Sequence, residues 1–247
     1  MKNLIRAELL KLRTTRVFWV YVAAALAFVP ISVALAITAG PTIGPLGSSA
    51  GVRNVMSSAS AGGLLVLLVG ISMMAGEFRH NTATTTFLIS PDTRRVLVAK
   101  LAVGAIVGVC IAVLASVITL AVAPPWLEAK DVDVSLFSRD VGSPLLGALI
   151  ATSLAAVVGI GLGALLSNQT LAITLVIVWS VTAESLLVGF LPEVGRWLPG
   201  GASSALAGTA TAEGGLLPFW GAAAVLAGYA LALAAAGGRR LAHREIT

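Results

Sequence analysis

Charged residues are scarce in this chain: Asp, Glu, Lys and Arg make up 11% of its 247 residues, while hydrophobic residues make up 57%. Soluble domains carry about 25% charged residues, so this composition excludes one, and the length leaves no room for a sizeable soluble domain. The mean hydropathy of +0.97 agrees. Cysteine occurs once, at Cys110, which excludes a disulfide within the chain; its apolar neighbours predict a small buried thiol. Histidine occurs only at His80 and His243, and no H-E-x-x-H is present. A zinc site inside a membrane needs convergent His or carboxylate ligands, which argues against a membrane protease or metal-dependent enzyme. No G-x-x-x-x-G-K-[ST] occurs either, so the chain by itself has no loop to cradle ATP phosphates.

What is abundant is long apolar sequence rich in Ala, Val, Leu and Gly. A bilayer core about 30 Å thick needs about 20 apolar helical residues. Six runs qualify, at approximately 17–37, 55–76, 101–123, 144–166, 170–190 and 217–237. Backbone groups in lipid must bond internally and alternating strands are absent, so the runs predict six transmembrane helices in one membrane domain spanning 1–247. Pro30 predicts a local kink in the first.

The net charge of +5 is spread over connectors, which fits membrane orientation better than nucleic acid. With the N-terminus inside, segment 1–16 holds five Lys and Arg, segment 77–100 holds four and the C-terminal tail three; the outside segments hold Arg53, Lys130, Arg139 and Arg196. The bias predicts both termini in the cytoplasm. The first run is too long for a signal-peptide core of about 7–15 residues, although Ala34-Leu35-Ala36 resembles a cleavage site, so an uncleaved span is expected.

Segment 1–16 reads as an interfacial helix, with Leu4, Ile5, Leu9 and Leu12 on one face and Arg6 and Arg13 opposite; Glu8 intrudes on the apolar face. It is either a helix lying on the inner leaflet or a simple topogenic signal. Outside, the loop 124–142 carries Glu128, Asp131, Asp133 and Asp140 without tight ligand spacing, which favours a solvated loop over a cation site. The loop before the last span, rich in Gly and Pro and containing Trp197, predicts short helices at the outer interface. Glu184 is the one acid within a span, about 9 Å from the outer end of the fifth at 1.5 Å per residue. It is either a polar point on a pathway or a structural hydrogen-bonding group.

One connector exceeds what a link between spans requires: GEFRHNTATTTFLISPDTRRVLVAK, residues 76–100. Ser90-Pro91-Asp92 marks a break, with Ser90 or Asp92 as caps, and Arg94, Arg95 and Lys100 anchor the return to the membrane. This connector follows a basic RAELLKLRTTR and precedes the turn LLSNQ, the pair Trp179 and Glu184, and LPEVGRWLPGG. In that order the motifs resemble a permease subunit of the type-2 ABC exporter family, of the kind found in actinobacteria, over nearly the whole chain.

The resemblance implies an all-α membrane protein of six transmembrane helices. It adds an N-terminal interfacial helix and a cytoplasmic coupling helix between spans two and three. The coupling helix docks on a separate ABC-type ATP-binding subunit, which uses ATP and Mg; this chain carries no cofactor. Glu77, Phe78, Arg79 and His80 match the start of the coupling segment, residues 82–88 with Thr85 and Phe87 its body, and Arg94 and Arg95 the basic turn back. A second permease copy or paralogue completes the exporter in the cytoplasmic membrane. Its substrate path runs along the dimer interface past residues 57–63, with Ser57, Ser60 and Glu184 as polar points. The competing class is a non-transport membrane protein, such as a stand-alone immunity factor or assembly scaffold.

The orientation is testable. In a Cys110→Ser background, a cysteine at Ser135 is expected to react with an impermeant maleimide in intact cells. One at Ser167 reacts only once the membrane is opened; the opposite pattern inverts the topology.

Overall fold

The computed structural model describes residues 1–39, 45–79, 93–209 and 215–243. Those residues form helices and connecting turns, with no strand among them. In chain order they are α1 (Lys2–Thr14), α2 (Arg16–Thr38), α3 (Ser49–Met56), a 3₁₀ turn (Ser57–Ser60), α4 (Gly63–Arg79), α5 (Thr93–Glu128) and α6 (Arg139–Leu166). There follow α7 (Gln169–Val178), a π-helical turn (Trp179–Ala183), α8 (Glu184–Phe190), α9 (Pro192–Gly195), α10 (Pro199–Ala207) and α11 (Phe219–Ala242). Six stretches are long and apolar enough to cross a membrane: Arg16–Thr38, Ser49–Arg79, Thr93–Glu128, Arg139–Leu166, Gln169–Phe190 and Phe219–Ala242. The chain is a six-span, all-α membrane protein.

Successive spans alternate in direction. One end of the bundle therefore gathers the starts of α2, α5 and α7 and the ends of α4, α6 and α11; we call it the basic end. The helices run past the apolar runs that define them. With 36 residues, α5 is about 54 Å long at 1.5 Å per residue. It absorbs Arg94, Arg95 and Lys100, expected in a connector, and Pro124–Glu128, expected in the opposite loop. Each proline forfeits an amide hydrogen bond, yet Pro124 lies in the last turns beside the fully buried Ala123 and Leu127. Packing against Val33, Val55 and Met56 holds that end helical.

Cys110 is exposed, contrary to the buried thiol expected from its apolar neighbours. It shares the outer surface of α5 with exposed Ile106, Val109, Val113 and Val117. Where the surrounding solvent is lipid, apolar neighbours do not mark an interior position.

The centre of the bundle is α6, which packs against α4, α5, α10 and α11. Lipid tails are as apolar as leucine, so helices associate through close packing of small residues. The α4–α6 contact follows that rule. A Cβ on Gly70 would strike the Ala156 carbonyl oxygen, and one on Gly159 would strike the Leu67 carbonyl oxygen. The two backbones touch where both glycines sit, and Val66, Val69, Ala156 and Ile160 close around them. The turn from α6 to α7 is short: Ser167 takes a left-handed conformation (φ 52°) and the Asn168 side chain caps α7 by accepting from the Leu171 amide at 3.1 Å. The fifth span thus returns directly alongside α6 and α4.

Gly159→Leu should force α4 and α6 apart and cost about 1–3 kcal/mol, the usual range for overpacking. The expected result is a lowered apparent melting temperature in detergent. Gly228→Leu, where a Cβ would meet nothing within 4 Å, should leave it unchanged.

Candidate functional site

Lys100 is the largest fully buried side chain, at 0% exposure, although it lies only two turns into α5. Its Nζ donates to Glu8 Oε2 of α1 at 2.6 Å, to Glu77 Oε1 of α4 at 2.8 Å and to the Met73 carbonyl at 3.3 Å. Three acceptors match the three protons of an ammonium. Lys11 closes the cluster, donating to Glu8 Oε1 at 2.9 Å and to Glu77 Oε1 at 2.8 Å. These four side chains, two carboxylates and two ammoniums, are together formally neutral. Helical spacing builds the cluster: Glu8 and Lys11 are three apart on α1, and Met73 and Glu77 four apart on α4, so each pair shares a face.

Burial by itself would lower the pKa of Lys11, but hydrogen bonds and charge from Glu77 and Glu8 outweigh it and the net shift is upward. A raised lysine pKa stabilises at every pH below the ordinary value of 10.5 and fades only as pH climbs through the raised one. The Lys11 attachment of α1 is therefore indifferent to pH near neutrality.

The structure sorts the expected coupling residues. Glu77 is buried in the cluster, and Phe78, like Ile5 and Leu12, packs against the central core. Arg79 ends α4, exposed, and lines a cavity of about 520 Å³ with Lys11, Phe18, Tyr21, Ser72 and Gln169. Arg94 and Arg95 are exposed on the first turn of α5. His80, Thr85 and Phe87, together with the rest of the segment 82–88 and Ser90-Pro91-Asp92, lie outside the described residues. Lys100, read from sequence as a basic anchor beside Arg94 and Arg95, is instead the buried centre of an ion cluster, because α1 folds against α5 and brings Glu8 to it. On α1, Glu8 is buried within the inward face beside half-buried Leu4, Ile5 and Leu12, while Leu9, expected on that face, is exposed.

A second polar feature lies toward the opposite end. The π turn of Trp179–Ala183 widens the fifth span and has no buried residue, and Glu184 directly after it is 6% exposed. Such turns occur often at functional positions. The Gly200 amide, at the start of α10, donates to Glu184 Oε1. A Cβ on residue 200 would stand 3.0 Å from the Glu184 carboxyl carbon, so glycine leaves room for that contact. Glu184 lines a cavity of about 530 Å³ bounded by α4, α6, α8, α10 and α11. Ser60 lines it too, with its hydroxyl donating to the Ser57 carbonyl at 2.7 Å; Ser57 does not line it and bonds Asn54 instead. The hydroxyl-bearing wall from Thr152, Ser180, Ser185, Ser203 and Ser204 had no signature in sequence, since isolated serines in apolar runs are ordinary.

Compared with known proteins, residues 4–184 match the profile of a family described as ABC-2 family transporter protein. That range holds the whole of the buried ion cluster and ends on Glu184. No curated protein matches the chain.

Lys100→Met would leave two buried carboxylates sharing only the half-exposed Lys11, and removing one partner of a buried ion pair costs about 3–5 kcal/mol. We expect a large drop in apparent melting temperature for Lys100→Met and a small one for Lys11→Met, whose side chain is 44% exposed. Equal small effects would show that water reaches the cluster.

Proposed function

Because the chain belongs to the ABC-2 family of transporter proteins, we propose that it is the permease of an exporter whose ATP hydrolysis occurs on a separate subunit. The sequence has no phosphate-cradling loop of its own, so the energy must enter through contact with a partner. The observation that carries the reading is the neutral ion cluster of Glu8, Lys11, Glu77 and Lys100. It joins the end of α4 and the start of α5, the two roots of segment 80–92, and adds α1 to them. A push on that segment by an ATPase would move the three helix ends as one body. Arg79, Arg94 and Arg95 are exposed around this joint and supply charge for docking an acidic cleft.

In this reading the basic end faces the cytoplasm, with both termini there, and the membrane is the plasma membrane. Two permease copies, or this chain and a paralogue, enclose the substrate path. The most apolar stretches of the fifth and sixth spans are each 17% buried and that of the first is 28% buried; the first and fifth leave Trp19, Phe28, Leu175 and Val181 exposed for a second copy or lipid. Substrate leaves along that interface, near Ser60 and Glu184.

Purification from native membranes tests the reading. An ATPase of the ABC type should accompany the chain, and Arg79→Glu should reduce its recovery by about tenfold, since like charges across an interface are strongly disfavoured. Arg79 is not part of the buried cluster, so the variant should fold. Failure of any ATPase to associate would remove the exporter reading.

A further inference from the structure

The polar side chains lining the Glu184 cavity among the described residues are six hydroxyls and one carboxylate. Ser60 donates its proton to the Ser57 carbonyl at 2.7 Å, Ser185 to the Ser180 carbonyl at 3.1 Å and Ser203 to the Pro199 carbonyl at 2.7 Å. These three hydroxyls therefore turn lone pairs, not a proton, toward any occupant. The carboxylate adds the strongest acceptor. Among the described residues its one hydrogen-bond partner is the Gly200 amide, and none of those lining the cavity is Lys, Arg or His. Arg196, the basic residue nearest in sequence, lies over the Trp197 ring at 5.8 Å instead. The rest of the lining is apolar, including Leu64, Leu67, Val158, Val188 and Leu226.

A buried carboxylate without a basic neighbour is costly as an anion unless a cation or a proton reaches it. The contrast with the basic end is direct: there each buried acid meets two ammoniums within 3 Å. The cavity is the size of a small-molecule site, for which about 300–1,000 Å³ is usual. We propose that this cavity binds a monovalent organic cation with an apolar body, its charge against Glu184 and its body against the aliphatic wall. The proposal rests on the exporter reading only for the role of the ligand as substrate; binding itself does not require it.

The test uses the full chain without its ATPase in lipid nanodiscs, with empty nanodiscs as the partition control. Tetraphenylphosphonium and tetraphenylborate share one shape and differ in charge. Saturable binding of the phosphonium is expected, none of the borate. Glu184→Gln keeps an acceptor for the Gly200 amide and should weaken phosphonium binding by at least about tenfold. Gly63→Leu provides the second variant: Gly63 lines the cavity with nothing within 4 Å of its Cβ position, and the added side chain should abolish binding by filling it. Equal binding of both ions, phosphonium binding unmoved by Glu184→Gln and Gly63→Leu, or uptake no greater than in empty nanodiscs would overturn the proposal. Cation binding without any associating ATPase would sink the exporter reading alone; ATPase association without cation binding would sink the site alone.

Discussion

A charge removed from water must meet its opposite, and the basic end of this molecule is organised by that requirement. Lys100 is buried between α1, α4 and α5, and only the combination of Glu8, Glu77 and the Met73 carbonyl satisfies its three protons. No pair of these helices suffices. The ion cluster therefore converts three helix ends into one unit, whereas apolar contacts, in a solvent of lipid tails, distinguish poorly between neighbours. The specificity of the arrangement comes from a few polar atoms and its close fit from small residues.

Those small residues act mainly around α6. Where Gly70 and Gly159 meet, the backbones of α4 and α6 are in contact, and little freedom remains for either to slide. The central helices form a stiff core with the ion cluster at one end and the Glu184 cavity at the other. The fifth span is different. It is held near its start by the Asn168 cap and a bond from Gln169 to Ser72 at 3.2 Å, then loosened by the π turn before Glu184. Its most apolar stretch is the least covered, together with that of α11.

Much of this was legible in the sequence. Six apolar runs of about 20 residues leave few alternatives to six helices, and the motif order carried the family resemblance. The limits of the helices were less readable, because α5 continues through charged Arg94, Arg95 and Lys100 and through Pro124 and Pro125, where composition suggests loops. Glu8 was visible as an acid out of place on an apolar face. What the sequence could not supply was its partner 92 residues away, since pairing across the chain depends on how helices pack. Glu184 stood out as the lone acid of a span, but its serine-lined cavity was hidden, because a hydroxyl among alanines carries no periodic signal. Cys110 misled for a related reason: hydropathy separates lipid from water, not protein interior from lipid.

The ion cluster also sets an order of assembly. Glu8 is made 92 residues before Lys100 and Glu77 is made 23 before it. Until the third span enters the membrane, α1 has no buried ammonium to dock against, and it must wait at the surface with its acid hydrated. When Lys100 arrives it carries a charge that the bilayer resists, and docking of α1 relieves that resistance. Although α1 is made before the spans it docks against, it is thus seated after them, and its seating marks the arrival of α5.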